Sequence, residues 1–220
     1  MRAITVAIDG PAGSGKSTIA KILAEKYSMI YLDTGAMYRM VSLYSLENNL
    51  DLDNVEAVEE ALKGIELDIR ENSFYLNGRD VSQEIRTPEV TAIVSKVAAI
   101  KAVREKLVEL QREISKGRRA ILDGRDIGTV VFPKADLKIF LIASPEERAS
   151  RRVKDYESKG IEGESYEEVL EAIKLRDYLD STREESPLKK AGDAIEVDSS
   201  FMNISQVCEV ISTEIERVDR

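Results

Sequence analysis

Ala3–Thr18 reads AITVAIDGPAGSGKST. Ala3 to Ile8 is a compact, β-branched apolar run that stops at Asp9-Gly10, the pattern of a buried strand. Gly10 to Thr18 fits G-x-x-x-x-G-K-[ST] without a mismatch. Lys16 to Tyr27 then carries Ile19, Ile22 and Leu23 at helical spacing. Strand, glycine-rich loop and helix in that order make a phosphate cradle. The loop of Gly10, Pro11, Ala12, Gly13, Ser14 and Gly15 wraps so that its N–H groups face a phosphate, and the helix N-terminus adds partial positive charge. Lys16 is placed to reach the β- and γ-phosphates, and Ser17, followed by Thr18, to ligate Mg²⁺. The alternative is a glycine-rich turn before a helix, and the three elements together favour an ATP or GTP site.

Outward from this unit the pattern repeats. Met29 to Leu32 is a second short run, and Gly35 to Leu46 is helical with Met37, Met40, Val41 and Tyr44 on one face. Ala120 to Leu122, Leu137 to Ala143 and Ala194 to Val197 supply three further β-prone runs separated by helices. Such alternation implies parallel strands with right-handed crossovers, hence a three-layer α/β/α fold on a five-stranded parallel sheet. Ser144 caps a helix that starts at Pro145, with Glu147 at its third position. Ile204, Val207, Ile211, Ile215 and Val218 form the stripe of a C-terminal helix. Cys208 lies beside that stripe and reads as a small core hydrophobe rather than a reactive thiol. Ile65 to Val81 breaks the rhythm, with short alternating runs joined by Asn72-Ser73 and Asn77-Gly78. This is hairpin patterning, an antiparallel insertion or surface decoration.

Composition narrows the chemistry. The 220 residues hold 32 Lys+Arg against 41 Asp+Glu, a net charge of −9, with no histidine, no tryptophan and one cysteine. Ser-His-Asp and Cys-His catalysis, Cys/His zinc sites and an internal disulfide are excluded. No apolar run approaches the roughly 20 residues that span a bilayer. The N-terminal MRAITVAIDG lacks a signal-peptide pattern, so a cytoplasmic location is expected. The acidic balance argues against long nucleic acids as partners.

A GTPase would carry Asn-Lys-x-Asp, and no asparagine in the chain precedes a lysine. Length then points to a small kinase acting on a metabolite or a nucleotide. Candidates for its acceptor side follow the strands. In Asp33-Thr34-Gly35-Ala36-Met37-Tyr38-Arg39, Thr34 serves as a helix cap, an anion ligand or both, with Arg39 about one turn on. Asp123-Gly124-Arg125-Asp126 follows the third strand, where α/β sheets bind ligands. Asp123 holds the place of a Mg²⁺-associated carboxylate, Arg125 suits a phosphate, and Asp126 can accept from an amino group, although a structural turn would use similar residues. Arg176, Asp180 and Arg183 share one helix face, as a site or as an exposed salt-bridge ladder. Arg148, Arg151 and Arg152 form a basic edge or a solvated face, and the charged stretch from Lys154 to Ser165 suits a lid.

The stretches IDGPAGSGKST, LDTGAMYR, DVSQEIRTPEV, SKVAAIKAVR, LDGRDIGTVVFP, KIFLIAS and IKLRDYLDSTR run in order to about Arg183. In these the chain resembles the bacterial-type cytidylate kinases, P-loop kinases that pass a phosphoryl group from ATP to CMP or dCMP. The resemblance implies one kinase domain over 1–220. It also implies a nucleoside-monophosphate arm over 34–100, carrying the inserted β segment at about 64–86, and a lid over 148–165. It implies Arg39, Arg125, Arg183 and Thr34 on the CMP phosphate, Ser95, Arg104 and Asp126 on cytosine, and Asp180 and Arg176 on the sugar. Lys16, Arg125, Arg148, Arg151 and Arg152 would be the catalytic cations, with Mg²⁺ at Ser17 and Asp123. A monomer in pyrimidine metabolism is implied. Two other readings stay open on the residues alone: a small-metabolite kinase of shikimate or gluconate type, and a regulatory module that senses ATP without transfer.

Overall fold

The computed structural model describes residues 2–70, 73–158 and 165–220. In chain order the elements are β1 (Thr5–Asp9), α1 (Lys16–Lys26), β2 (Ile30–Asp33), α2 (Thr34–Glu47), α3 (Val55–Lys63), β3 (Leu67–Arg70), β4 (Ser73–Leu76) and β5 (Arg79–Asp80). A 3₁₀ turn (Glu84–Arg86), α4 (Pro88–Ala99), α5 (Lys101–Ser115), β6 (Ala120–Gly124) and a π-helical turn (Ile127–Val131) follow. The chain ends with β7 (Leu137–Ile142), α6 (Pro145–Ser158), α7 (Tyr166–Thr182), β8 (Ile195–Asp198) and α8 (Ile204–Val218). It divides into two compact units, Met1–Leu32 with Ser115–Arg220, and Asp33–Ile114.

The first unit is built on a five-stranded parallel sheet in the order β2-β6-β1-β7-β8, the centre of a three-layer α/β/α fold. β1 is hydrogen-bonded on both edges, Asp9 standing opposite Gly124 of β6 and Phe140 of β7. A strand so enclosed needs apolar residues on both faces, and Val6, Ala7 and Ile8 are fully buried. α1 and α8 supply Ile19, Leu23, Val207, Ile211 and Ile215 to the core, against Val6, Ile8, Ile139 and Leu141. Ile22 and Ile204, read from spacing as part of these stripes, are 40% and 54% exposed. Neither packs into the core cluster that Ile19, Leu23, Val207, Ile211 and Ile215 join. Cys208 is half-buried against this core, and burial pushes its thiol pKa up, as expected of a packing residue. α6 begins as its sequence predicts, with the Glu147 N–H donating to Ser144 Oγ at 3.1 Å. It packs on α7 through Ala149, Val169 and Ile173.

The second unit holds the antiparallel sheet β3-β4-β5. Asn77 and Gly78 both take positive φ (49° and 78°), the geometry of a two-residue hairpin turn. Phe74, Leu76, Val81 and Ile85 are buried on one side of this insertion. Asn72 of the expected Asn72-Ser73 turn lies outside the described residues. α3 buries only Val58 and Leu62 and exposes its acids, as its amphipathic pattern requires. Asp33, not Thr34, caps α2: its side chain accepts from the Ala36 N–H at 2.9 Å. Thr34 is the first helical residue and is 3% exposed.

Candidate active site

The glycine-rich loop leaves the carboxyl end of β1 and enters α1. Gly10 has φ of 151°, and a Cβ there would lie 2.0 Å from the Leu141 carbonyl oxygen of β7. Only glycine lets the chain turn this close to the sheet. Lys16 is buried and donates from Nζ to the Pro11 carbonyl at 2.7 Å and to Ser14 Oγ at 3.3 Å. Burial pushes its pKa down to about 7, and Arg125 and Arg176 push the same way against the carboxylates of Asp123 and Asp9. A buried lysine with two arginines beside it suits a polyanionic ligand. Asp123, the penultimate residue of β6, accepts from Ser17 Oγ and from the Tyr31 hydroxyl, both at 2.8 Å. One carboxylate and one hydroxyl are hard oxygen donors, and no cluster of three or more acidic or thiol ligands occurs among the described residues. Such a pair fits Mg²⁺, which keeps waters and takes other ligands from phosphates.

After β6 the chain gathers four charged groups within the first unit. Arg125 Nε donates to Asp180 Oδ2 at 2.9 Å, and Arg183 lies 3.9 Å from Asp126 Oδ1. Arg183 also donates from Nε and Nη2 to the Ser186 carbonyl at 2.9 and 2.6 Å. Burial alone would raise the Asp180 carboxyl, but Arg125, Arg176 and Arg183 together hold it below its usual range. The ladder reading of Arg176, Asp180 and Arg183 fails on this point: Asp180 is only 4% exposed and faces Arg125, while Arg183 has left the helix. Asp126 is also buried, and its carbonyl accepts from Val130 N at 2.8 Å and Val131 N at 3.2 Å in the π-helical turn.

Asp9, which no motif flags, is buried at the end of β1 and accepts from the Ile127 N–H at 2.8 Å and the Gly128 N–H at 2.7 Å. Desolvation raises its pKa to about 6, against those two hydrogen bonds, with Asp126 raising it further and Lys16 lowering it. The folded protein therefore holds this proton more tightly than the unfolded chain. The contribution to stability is complete below pH 4 and is lost as pH rises through about 6. The stability difference between parent and Asp9→Asn is expected to fall by about 3 kcal/mol across that window in urea titrations. A difference independent of pH contradicts the assignment.

The three arginines of α6 occupy unlike environments. Arg148 is 2% exposed. Its guanidinium reaches the Ala143 carbonyl at 3.0 Å, the Ala12 carbonyl of the loop at 2.9 Å, and both carboxylate oxygens of Asp177 at 3.0 and 2.5 Å. It is thus neither a solvated face nor an unattached cation. Arg151 donates to Glu147 and to the Ser199 carbonyl, and Arg152 to the Tyr156 hydroxyl. Residues 159–164 of the expected lid lie outside the described residues. Asp177→Ala should cost about 3 kcal/mol in urea unfolding, because it strands a buried guanidinium. A loss below about 1 kcal/mol would place the pair with surface ion pairs.

The second unit carries the remaining candidates. Arg39 donates from Nη1 to Thr91 Oγ1 at 2.7 Å and to the Ile85 carbonyl at 3.3 Å, which fixes it to α4 and the turn before it. Arg104 is buried in α5, donates to the Ala98 carbonyl at 3.1 Å and lies over the Tyr38 ring at 5.5 Å. Ser95 is half-buried on α4. Motif reading passed over Tyr31, Asp9, Asp177 and Ser199. The only local signal for any of them was an acidic residue directly before the first loop glycine.

The family model described as cytidylate kinase matches residues 6–217. A cytidylate kinase of Fusobacterium nucleatum is 58% identical over 98% of both chains. One of Thermosipho melanesiensis is 52% identical over 94% of both, and one of Clostridium perfringens is 49% identical over 97% of this chain and 98% of its own. A solved structure of an uncharacterized protein from Eubacterium ventriosum has a TM-score of 0.52 at 14% identity, covering 97% of this chain and 98% of that one, a likeness of fold alone. A phosphate loop with its lysine, a hydroxyl–carboxylate pair and a buried arginine–aspartate cluster thus stand in a chain matched almost end to end, and the chain belongs to the cytidylate kinase family.

Proposed function

We propose that this protein transfers the γ-phosphoryl group of ATP to CMP or dCMP, giving ADP and CDP or dCDP. The observation that carries this reading is the assembly, within one unit, of Lys16, Ser17 and Asp123 beside the Arg125–Asp180 and Arg183–Asp126 pairs. A donor-phosphate cradle and a second set of anion-binding arginines belong to a reaction between two phosphates.

Lys16 exchanges its loop carbonyl for the β- and γ-phosphates, and the N–H groups of Gly13 to Gly15 hold them. Ser17 and Asp123 would hold Mg²⁺, which when bound neutralises charge on the phosphate oxygens. Tyr31 keeps the Asp123 carboxylate oriented toward Ser17. Arg125 and Arg183 hold the acceptor phosphate. The Asp180 carboxylate, kept ionised by its arginines, takes the sugar hydroxyls with Arg176. Asp126 accepts from the cytosine amino group. Arg151 and Arg152 are the lid cations over the transferred group, and Arg148 fixes the loop through the Ala12 carbonyl. The transition state spreads charge over oxygens, so these positioned cations do most of the work. The nucleophile needs no base, because a phosphate monoester loses its second proton near pH 6. This accords with a chain that has no histidine. We place the enzyme in the cytoplasm as a monomer.

Incubation with ATP labelled at the γ-phosphorus and with CMP tests the reading. Label is expected at the β-position of CDP. Release as inorganic phosphate at a rate indifferent to CMP would contradict it.

A further inference from the structure

Asp9 is the last residue of β1, immediately before Gly10, and its backbone is paired with Gly124 of β6. Two residues beyond Gly124 lies Asp126, and the two N–H groups that follow it, on Ile127 and Gly128, have no carbonyl partner earlier in their own turn. The buried Asp9 carboxylate takes both of them, one oxygen each, from 118 and 119 residues away in sequence. The turn leaves no slack around this contact. A Cβ on Gly128 would stand 3.3 Å from Asp9 Oδ2 and 3.0 Å from Lys138 Cδ. A buried carboxylate is an expensive way to cap a five-residue turn, since neutral side chains cap turns at lower desolvation cost. What a carboxylate does here that an amide does not is accept at both of its terminal atoms, one for each N–H.

We propose that Asp9 is a positioning residue for base selection: it locks the turn at Ile127–Val131 and so fixes the Asp126 carboxylate for the amino group of cytosine. The inference rests on the reading of Asp126 given above. Asp9 thereby joins the phosphate loop, which it precedes, to the acceptor loop, which it caps.

Asp9→Asn keeps shape but offers one acceptor and one donor to two N–H groups. The ratio of kcat/KM for CMP to that for UMP is expected to fall about tenfold, while KM for ATP stays within about twofold. A ratio at the parental value, or an equal loss for CMP and UMP, overturns the proposal, because a role in folding alone moves both acceptors together. Gly128→Ala, which crowds the same contact from the other side, should lower the ratio as well, and it decides the matter if Asp9→Asn does not fold. Asp126→Ala serves as the control. If it erodes the ratio and neither Asp9→Asn nor Gly128→Ala does, this inference fails alone. If Asp126→Ala itself leaves the ratio fixed, the reading of Asp126 fails.

Discussion

Replacing Lys16 by alanine is expected to lower kcat by about three decades or more while the protein stays folded. Both halves of this expectation come from the same burial. Lys16 is 5% exposed, its ammonium donates to Pro11 O and Ser14 Oγ, and Arg125 and Arg176 are its cationic neighbours. Desolvation and like charge therefore work against the charged ammonium. Removing it relieves the fold of a costly charge, so urea unfolding should show no loss beyond that of a shortened stem. Lys16→Met, which keeps the stem, should be at least as stable as the parent and equally inactive. Turnover within tenfold of the parent for either variant would contradict the mechanism.

The second large effect concerns the base. Asp126→Ala is expected to reduce the preference for CMP over UMP by about two decades, measured as the ratio of kcat/KM. Cytosine presents an N4 donor where uracil presents an O4 acceptor. A buried carboxylate satisfies the first and repels the second, and alanine does neither. Most of the change should appear as lost CMP activity. Asp126→Asn, which offers a donor as well as an acceptor, should narrow the ratio partly by raising activity on UMP. An unchanged ratio in both variants would remove Asp126 from base reading.

The central sheet and the phosphate loop are legible in the sequence because local chemistry dictates them. A strand hydrogen-bonded on both edges must be apolar on both faces, and Val6, Ala7 and Ile8 are. Gly10 is fixed by a carbonyl it approaches closely. What sequence spacing missed depends on which partner a residue meets, often one far along the chain. Arg148, Arg151 and Arg152 are equivalent as a helical pattern, yet Arg148 alone is buried, because Asp177 of the next helix meets it. Asp180 reads equally well as one rung of an exposed ladder until Arg125, 55 residues earlier, is seen to hold it. Adjacent Asp33 and Thr34 are both capping types, and only the Ala36 N–H shows which one caps. Asp9 shows in the sequence only as an acidic residue before the first loop glycine, since its partners are two backbone N–H groups that sequence cannot display.

The most direct test of the account is acceptor-stimulated release of ADP from ATP, measured with CMP, dCMP, UMP, AMP, shikimate and gluconate in parallel. CMP and dCMP should stimulate release at least tenfold more than any other acceptor. Stimulation by shikimate, gluconate or AMP without CMP, or release that no acceptor alters, would contradict it.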